Sequence, residues 1–505
     1  MIEKCWSCDD ENGNVLILKT QEEIDYHKSL RHEVLSEKTD SELLEKKNKA
    51  EDVEKIVKGR IGEYFVESIY VDGHPHFLCN KNDKIIIEER IKHDGVIYSP
   101  LTKEDTPYPP YDFSTSYLNT LKKNPCSKED LLKRIDGQVR KFIDTSDFNR
   151  LLIVIDVFLT YCQDFVDTVH YLFIVGDTES GKSTIGHLFK NIGFRTQYQT
   201  DLNYAGIYNF YGTKEEACGT IVEDEAQDLT KDRNKIRLYK NSYSRGSKQA
   251  IIVGKDTSGK KQVYYNTFGF KVFIGERVPY DKGFLERLAI LRMSTGFPEA
   301  NIKRPTPEQR QDLELLRNSL LFWKVSNIKN SLPNIKTGLR NRDEELWSDF
   351  IRIASGTIFE EDARNVVKEH TRERHESIQN SLEARLFEIL ALQIDSKYLI
   401  VFEDFWEYLT QKQDIMSGNL ESETFQTYEF GNVTRYKLSK ILTDKFQAKK
   451  VQTFRERDNQ KHRITTYLFN PNITRKLVMK YGITLPIDHI FYQDDQHTPS
   501  SKGDF

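Results

Sequence analysis

The 505-residue sequence is poor in the features that mark secreted and membrane proteins. It contains 6 cysteines, too few for a disulfide scaffold in a chain of this length. Its longest apolar stretch, Leu151–Thr160, is interrupted by Asp156 and is shorter than the roughly 18 residues of a membrane helix. The first residues, Met-Ile-Glu-Lys-Cys, lack the apolar core of a signal peptide. We therefore expect a cytoplasmic protein without a membrane partner.

The sequence also lacks an excess of charge of either sign. Lys and Arg number 74 and Asp and Glu 78, so the net charge is -4. This balance excludes a protein that coats nucleic acid through a uniformly basic surface. Any contact with DNA must come from local basic patches. Hydrophobic residues make up 38% of the chain, enough for several buried cores. The length and composition indicate a multidomain chain.

One segment matches the phosphate-binding pattern G-x-x-x-x-G-K-[ST] in full. An apolar run, Tyr171–Val175, precedes it, and a helical pattern over Thr184–Lys190 follows. Glycines let backbone N–H groups turn inward around phosphates, and the helix adds its positive end. We predict that Lys182 reaches the β- and γ-phosphates of ATP and that Ser183 ligates Mg²⁺. The predicted nucleotide-binding residues are Gly176, Asp177, Thr178, Glu179, Ser180, Gly181, Lys182, Ser183 and Thr184.

A second β-prone run, Thr220–Val222, ends in three consecutive acids. Asp224 is predicted to hold Mg²⁺ together with Ser183, and Glu225 to orient and deprotonate the attacking water. Side chains alternate along a strand, so Glu223 should face the other side. The alternative is an exposed acidic turn.

Downstream, the runs Gln249–Val253 and Gln262–Tyr265 flank a lysine-rich turn. They predict a hairpin inserted before the next core strand, Phe270–Ile274. A basic tip could contact a phosphate backbone inside a ring. The alternative is a surface hairpin with solvated lysines. The candidate DNA contacts here are Lys255, Lys260 and Lys261.

Arginines follow that core strand. Arg287 stands before the apolar run Leu288–Leu291, and Arg292 ends it. Arginine at such an edge can stabilise γ-phosphate charge on a neighbouring subunit, and we predict this catalytic role for Arg287. Arg245 competes for the role, and an ordinary surface salt bridge is the alternative.

This order of motifs resembles ring-forming helicase-type P-loop ATPases, including superfamily 3 and minichromosome maintenance helicases. The closer likeness is to the ATPase part of primase-helicase-like replication proteins of archaea and mobile elements, and to an uncharacterised archaeal ATPase family. The resemblance covers residues 140–300 and implies an AAA+-like core in a homo-oligomeric, hexameric ring on DNA. The segments that carry it are Gly176–Thr184, Val222–Ala226, Tyr239–Gly246, Asn266–Lys271 and Glu286-Arg287.

The sequence departs from the superfamily 3 pattern at one position. Members of that superfamily end the sensor strand with a polar residue, usually Asn, that helps to position the water. Here the strand ends Ile274-Gly275-Glu276-Arg277. Either Glu276 substitutes for that residue, or the sensing role is weakened.

The N-terminus carries a C-x₂-C-x₁₈-H-x₄-H pattern of Cys5, Cys8, His27 and His32. Two thiolates and two imidazoles are a tetrahedral Zn²⁺ set, and the segment resembles a ββα zinc finger with a longer gap between its ligand pairs. The predicted helix over Gln21–Arg31 carries acidic residues on its exposed face. Such a face is better suited to contact with a protein than to the recognition of bases in the DNA major groove. The alternative is a free CxxC with incidental surface histidines.

The C-terminal region has three helical patterns, over 382–392, 402–411 and 433–442, and then two β-prone runs around the basic segment Arg455–Arg463. This order is typical of a winged helix, whose recognition helix and wing contact DNA phosphates. A winged helix used for protein contact is the alternative. The candidate DNA contacts are Arg435, Lys437, Arg455, Lys461 and Arg463.

We therefore predict a multidomain α/β protein with an AAA+-like P-loop NTPase core, and eight segments. They are a C2H2-like zinc finger over 1–35, a charged linker over 36–60, a small β-rich domain over 61–125, a helical lead-in over 126–165, the ATPase core over 166–302, a helical region over 303–378, a winged helix over 379–485 and a flexible tail over 486–505.

The predicted function is Mg²⁺-dependent hydrolysis of ATP by an oligomeric helicase or translocase in DNA replication. One alternative is a non-motor regulator or defence ATPase in which ATP gates DNA binding. A structural DNA-binding protein with a vestigial ATPase is disfavoured, because Lys182, Asp224 and Glu225 are all present.

Overall fold

The structure, a computed structural model, describes residues 6–9, 15–18, 20–29, 53–200, 202–212, 219–256, 259–330, 332–417, 425–427, 431–457, 460–486 and 489. The chain divides into two compact units, Met1–Val367 and Lys368–Phe505. It is a mixed α/β, multidomain chain. Its first elements are the antiparallel strands β1 (Trp6–Asp9) and β2 (Val15–Leu18) and the helix α1 (Gln21–Ser29).

The next eight strands form a β-rich layer. They are β3 (Val53–Ile56), β4 (Lys58–Ile61), β5 (Tyr64–Val71), β6 (His74–Lys81), β7 (Lys84–Glu88), β8 (Ile91–His93), β9 (Val96–Pro100) and β10 (Asp112–Phe113). One sheet has the order β10-β5-β6-β7 with β4 also paired to β5, and the other has the order β3-β9-β8. Strands β3 and β4 lie at the end of the segment that the sequence predicts as a linker, because their pairing with β9 and β5 outweighs their charged side chains.

Three hairpin turns shape this layer. The pairs Asp72-Gly73, Asn82-Asp83 and Asp94-Gly95 all have positive φ, between 48° and 81°. Positive φ at both central residues defines a type I′ turn, whose twist matches that of the flanking strands. Asn, Asp and Gly tolerate this conformation best, and the sequence signals for turns at these positions are therefore confirmed.

Three helices follow: α2 (Thr115–Lys123), α3 (Lys128–Phe142) and α4 (Asp147–Cys162). Each is preceded by a serine whose side chain accepts a hydrogen bond from a backbone N–H of the first turn, a common way to begin a helix. Helix α4 is buried without interruption from Leu151 to Cys162, so the longest apolar run of the sequence is a core helix. Among the helices described, none combines the length and apolar character needed to cross a bilayer.

The centre of the first unit is a parallel sheet with helices in its connections. The elements are β11 (Tyr171–Val175), α5 (Lys182–Ile192), β12 (Thr196–Gln199), α6 (Tyr204–Tyr211), β13 (Thr220–Glu223), α7 (Arg233–Asn241), β14 (Lys248–Asp256), β15 (Gly259–Asn266), β16 (Lys271–Gly275), α8 (Lys282–Leu285) and β17 (Leu288–Arg292). The strand order is β12-β13-β16-β11-β17, while β14 and β15 form the antiparallel hairpin that the sequence predicts. Because the five strands are parallel, their carboxyl ends meet at one edge, where α/β sheets bind ligands.

The first unit ends in helices α9 (Pro307–Ser326) and α10 (Asn341–Ala354), and α11 (Glu360–Gln379) follows. Helix α9 begins with a capping box of Thr306 and Gln309 and has Pro307 in its first turn. Its buried face includes Leu313, Leu316 and Leu320, three of the apolar positions noted in the sequence.

Five ionised side chains are buried together in the first unit. Lys324 Nζ lies 2.6 Å from Glu67 Oε1 and 2.7 Å from Asp164 Oδ2, and Lys58 Nζ lies 2.9 Å from Asp164 Oδ1. Arg195 pairs with the second oxygen of Glu67. We call these residues the buried charge cluster. It joins β4, β5, the end of α4, the start of β12 and α9.

The second unit consists of short helices around a small antiparallel sheet. Its elements are α12 (Leu382–Ala391), β18 (Leu399–Val401), α13 (Phe402–Ser417), β19 (Phe425–Thr427), β20 (Gly431–Val433), α14 (Arg435–Lys440), β21 (Lys449–Arg457), β22 (Gln460–Leu468) and α15 (Pro471–Tyr481). The sheet order is β18-β22-β21. Leu386, Leu438 and Tyr467 are fully buried in its separate core. The helix–helix–helix–hairpin order predicted for this region is present, and its function as a winged helix stays a prediction.

We expect the buried charge cluster to be essential for stability. Asp164→Asn would leave Lys58 and Lys324 with too little negative charge in the core, which typically costs about 3–5 kcal/mol of the free energy of unfolding. The matched control is Asp83→Asn, which removes the exposed pair of Asp83 with Lys329 and should cost about 0–1 kcal/mol. Each variant is measured by the midpoint of its urea-induced unfolding and then by amide hydrogen exchange of peptides from β5. Equal midpoints for the two variants would contradict the prediction.

The same cluster predicts a dependence on pH. Burial alone would raise the pKa of Asp164, but Lys324 and Lys58 hold that pKa below its usual range. A carboxyl whose pKa is depressed by folding stabilises the protein above its unfolded pKa of about 3.9, and this contribution is lost as the pH falls below that value. Wild-type protein should therefore lose more stability than Asp164→Asn between about pH 4 and pH 2.

Candidate functional site

The predicted phosphate loop lies at the carboxyl edge of the parallel sheet, between Val175 of β11 and Lys182 of α5. Glu179 and Gly181 adopt left-handed φ values of 65° and 83°, which turn the chain back towards the helix. A Cβ atom at Gly176 would lie 2.4 Å from the carbonyl oxygen of Met293. Only glycine fits there, so the loop packs directly against the residue that follows β17.

Lys182 lies across the inside of this loop. Its Nζ donates to the carbonyl oxygens of Gly176 at 2.6 Å and of Asp177 at 2.5 Å. The ammonium group therefore lies at the amino end of α5, where the helix dipole is positive. A lysine and free N–H groups at a helix start are suited to bind a phosphate group.

Ser183 and Asp224 meet beside the loop. Asp224 follows β13 directly, and its backbone N–H donates to the carbonyl of Gln199 at 2.9 Å. Ser183 Oγ lies 3.3 Å from Asp224 Oδ2. A hydroxyl and a carboxylate are oxygen ligands of the kind that Mg²⁺ uses in addition to water and phosphate oxygens. The two side chains thus fit the predicted magnesium site.

Tyr198 on β12 is a site residue that the sequence did not reveal. Its hydroxyl donates to the same Asp224 oxygen that faces Ser183, and its ring stacks on His187 with 4.8 Å between centroids. Burial and the neighbouring carboxylate of Asp224 raise the pKa of Tyr198 above its ordinary value, so the hydroxyl stays protonated at neutral pH. Its strand reads Thr-Gln-Tyr-Gln, which has neither an apolar run nor a motif that would draw attention to it.

The three consecutive acids have different surroundings. Glu225 is exposed at the sheet edge and adopts a left-handed φ of 59°, an uncommon conformation that is frequent at functional sites. Its N–H donates to Asp224 Oδ1 at 3.0 Å. Glu223 is buried and accepts hydrogen bonds from Lys235 and, at 2.7 Å, from the hydroxyl of Tyr239. Glu223 therefore anchors α7 and takes no part in the site.

Glu276, at the predicted sensor position, also reaches the loop. It follows β16, the strand beside β11, and its Oε1 accepts a hydrogen bond from Thr178 Oγ1 at 3.0 Å. A carboxylate therefore contacts the loop from the end of the neighbouring strand.

The chain is similar to several solved helicase-like structures. No protein-family model and no curated protein sequence matches it. The A form apo structure of the NrS-1 C terminal region is 14% identical, with a TM-score of 0.32, over 80% of this chain and 96% of that one. A full-length MCM homolog from Methanopyrus kandleri is 11% identical, with a TM-score of 0.31, over 61% and 77%. A JCV helicase structure is 10% identical, with a TM-score of 0.21, over 51% and 72%. All three scores lie below 0.5, so the site residues themselves carry the functional proposal.

The candidate arginines lie at different edges of the sheet. Leu288 pairs with Tyr171 at the start of β11, whereas Arg292 pairs with Val175 at its end. Arg287 is therefore at the amino edge, about 16 Å along the strand from the level of Val175, after which the loop of its own chain begins, and Arg292 is at the carboxyl edge. The guanidinium of Arg287 lies 4.6 Å from the ring centroid of Tyr243 and donates to the carbonyl of Gly283.

The guanidinium of Arg245, the competing finger candidate, is bonded to backbone carbonyls. Its Nη2 donates to the carbonyl oxygens of Gln163 at 2.6 Å and of Val166 at 2.8 Å. The Cζ atom of Arg245 also lies 5.2 Å from the ring centroid of Phe268. Together these contacts hold the segment between α4 and β11.

Several predicted ligands lie outside the described residues. Cys5 and His32 are among them, and of Cys8 and His27 only the backbone is described. Within the described part of the chain, no group of three or more His, Cys, Asp or Glu side chains could hold a metal ion. Zinc binding stays a prediction from spacing. The side chains of Lys255, Lys260 and Lys261 likewise lie outside the description, although their hairpin is present.

The basic candidates of the second unit fall into two groups. Arg435 pairs with Glu403 at 2.7 Å, and Arg455 pairs with Asp404 at 2.9 Å, so acids of α13 offset both charges. The remaining candidates are exposed to solvent; they are Lys437, Lys461 and Arg463.

We expect Tyr198 to position the predicted metal ligand Asp224. Hydrogen-bond partners of metal ligands typically contribute about 10–100-fold to metal affinity. Tyr198→Phe should therefore raise the Mg²⁺ concentration needed for half-maximal binding of a fluorescent ATP analogue by about 10-fold. The matched control is Tyr204→Phe, because the Tyr204 hydroxyl makes the same kind of bond, at 2.6 Å, to Asp232 at the start of α7. An unchanged Mg²⁺ requirement in Tyr198→Phe would rule out the positioning role.

Proposed function

We propose that this chain is a Mg²⁺-dependent ATP hydrolase that acts on DNA, as an oligomeric helicase or translocase of the archaeal or mobile-element replication type. The observation that carries the proposal is the meeting of a loop lysine, a hydroxyl and two acids at one edge of a parallel sheet. Lys182, Ser183, Asp224 and Glu225 come from two strand ends and are brought within reach of one nucleotide. Their chemistry fits phosphoryl transfer to water.

Each residue has a role that its surroundings support. Lys182 and the backbone N–H groups at the start of α5 bind the phosphates. Ser183 and Asp224 would hold Mg²⁺, which when bound neutralises charge on the phosphate oxygens. The exposed carboxylate of Glu225 accepts a proton from the attacking water.

The position of Arg287 supports an oligomer. It lies at the edge of the sheet opposite its own phosphate loop, the arrangement expected of an arginine that serves the nucleotide of a neighbouring chain. A single P-loop domain lacks a cation on the γ-phosphate side, and a finger arginine adds about 10³–10⁵ in rate. We infer a ring, with a hexamer as the expected size, in which each chain completes the site of the next.

Contact with DNA is proposed for the second unit. Its three helices and antiparallel hairpin have the element order of a winged helix. The exposed cations Lys437, Lys461 and Arg463 supply the local positive charge that the net charge of the chain does not.

One observation favours a second candidate, a non-motor regulator or defence ATPase in which ATP gates DNA binding. Glu276 contacts Thr178 of the loop at the sensor position, so a negative charge stands where a motor of the superfamily 3 type usually has an amide. Displacement of a labelled strand from forked DNA distinguishes the two candidates. A motor separates the strands with ATP, whereas a regulator binds the fork and hydrolyses ATP without separating them.

Hydrolysis is tested by two variants, one expected to lose ATP binding and the other expected to keep ATP binding but lose turnover. Lys182→Ala should lose ATP binding, because the phosphates lose their cation. Glu225→Gln should keep ATP binding and lose at least about 100-fold in turnover, because an amide cannot accept the proton of the water. The control is Asp228→Asn, an exposed acid of the same segment that should remain fully active. Equal turnover of Glu225→Gln and wild type would contradict the assignment of the base.

The shared site is tested by mixing inactive variants. Arg287→Ala should bind ATP normally and lose about 10³-fold or more in turnover. Mixing it with Lys182→Ala should restore part of the activity, since some interfaces then combine an intact loop with an intact arginine. Particle size should be measured with ATP and DNA present. If Arg287→Ala stays fully active, Arg245 or Arg292 becomes the candidate finger, and the alanine variant of each is measured in the same way. A protein that stays monomeric refutes the ring.

A further inference from the structure

An exposed aromatic side chain lies on the hairpin β21–β22 of the second unit. Phe454 on β21 is 69% exposed. Its register partner on β22 is Arg463, which is also exposed. Directly opposed residues of an antiparallel pair lie on the same face with Cβ atoms about 4.5–5.5 Å apart. The guanidinium and the ring therefore share one small area of surface.

The face that carries Phe454 is basic. Side chains alternate along a strand, so Lys450 and Phe454 share a face with Lys461 and Arg463 of the partner strand. The hydrogen bond of 3.1 Å from Gln452 to Thr465, another pair of register partners, confirms this alternation. Within the described hairpin, this face has one carboxylate, Glu456, against three cations. We call it the aromatic wing face.

The opposite face of the hairpin is occupied by contacts within the unit. Arg455, the next residue along the strand, pairs with Asp404 of α13 at 2.9 Å. At the base of the aromatic wing face, the hydroxyl of Tyr467 lies 2.5 Å from Ser439 of α14. Helix α14 therefore covers the base of the same face that presents Phe454 further along. The exposed lysines of α14 lie on this side of the sheet too; they are Lys437 and Lys440.

We propose that the aromatic wing face binds an unpaired nucleobase of DNA, which stacks on the ring of Phe454 while Arg463 and Lys461 contact the flanking phosphates. This proposal rests on the DNA-binding function proposed above and adds which form of DNA the hairpin selects. A phenylalanine ring cannot read the hydrogen-bonding edge of a base, but its π-face matches that of any base.

The structure favours unpaired over paired DNA. In a duplex every base is already stacked between neighbours, so the ring gains contact only where a base is free at a fork, gap or end. Arg463 and Lys461, the two cations near the ring, match the phosphates that flank such a base. A purely apolar partner would have to bury these charges, which costs free energy unless each is paired.

The test compares the Kd of the full-length protein for forked DNA with unpaired arms and for blunt duplex DNA. Stacking of one base on an aromatic side chain is worth about 5- to 150-fold in Kd by alanine substitution. Phe454→Ala should weaken fork binding by this factor and change duplex binding by less than about twofold. Phe454→Trp should retain fork binding, and Phe454→Leu, which keeps apolar volume but loses the π-face, should behave like the alanine variant.

Two controls separate stacking from charge and from unfolding. Phe297→Ala removes another phenylalanine, 90% exposed in the first unit, and should leave both Kd values unchanged. Arg463→Ala should weaken fork and duplex alike and reduce the slope of log Kd against log salt by about one, whereas Phe454→Ala should leave that slope unchanged. With 2-aminopurine in the unpaired arm, one position should be quenched by wild type and by Phe454→Trp, and not by Phe454→Ala.

The outcomes distinguish this proposal from the function on which it rests. If wild type binds neither fork nor duplex, DNA binding itself is refuted. If wild type binds both and Phe454→Ala binds both equally well, or loses both equally, the stacking role of Phe454 is refuted while DNA binding stands. Quenching of 2-aminopurine that persists in Phe454→Ala would likewise overturn it.

Discussion

Five buried ionised side chains are the constraint on which the first unit depends. Lys58, Glu67, Asp164, Arg195 and Lys324 come from five segments of the chain and pair with one another away from water. A member that is buried without its partners leaves an uncompensated charge in the core, which is strongly destabilising. Because the members come from the β-rich layer, the parallel sheet and α9, these three parts must assemble together. Desolvation offsets much of the attraction between these charges, so the intact cluster adds little net stabilisation, whereas the loss of any one member is strongly destabilising.

The cluster is connected to the candidate active site through a short strand. Arg195, held by Glu67, precedes β12, and Tyr198 follows three residues later on that strand. The hydroxyl of Tyr198 and the carbonyl of Gln199 both contact Asp224. The β-rich layer is remote from the phosphate loop in sequence, yet it contacts the strand that positions Asp224, the predicted magnesium ligand.

The direction of the parallel sheet separates the charges that an oligomeric ATPase needs. Lys182 lies at the carboxyl edge and Arg287 at the amino edge, so in the proposed ring each chain would supply the two residues to two different sites. In the second unit the charges are also separated. Acids of α13 offset Arg435 and Arg455, whereas Lys461 and Arg463 face solvent beside Phe454.

The features that could be predicted from the residues alone are those that depend on neighbours in the chain. The phosphate loop, the type I′ turns and the inserted hairpin follow from residue types at fixed spacing, which short-range sterics and hydrogen bonding make decisive. The tertiary structure alone decided which distant side chains meet. Tyr198 and Asp224 are 26 residues apart, and Glu67 and Lys324 are 257 apart. No local pattern encodes such contacts, because they arise only when packing brings separate elements together.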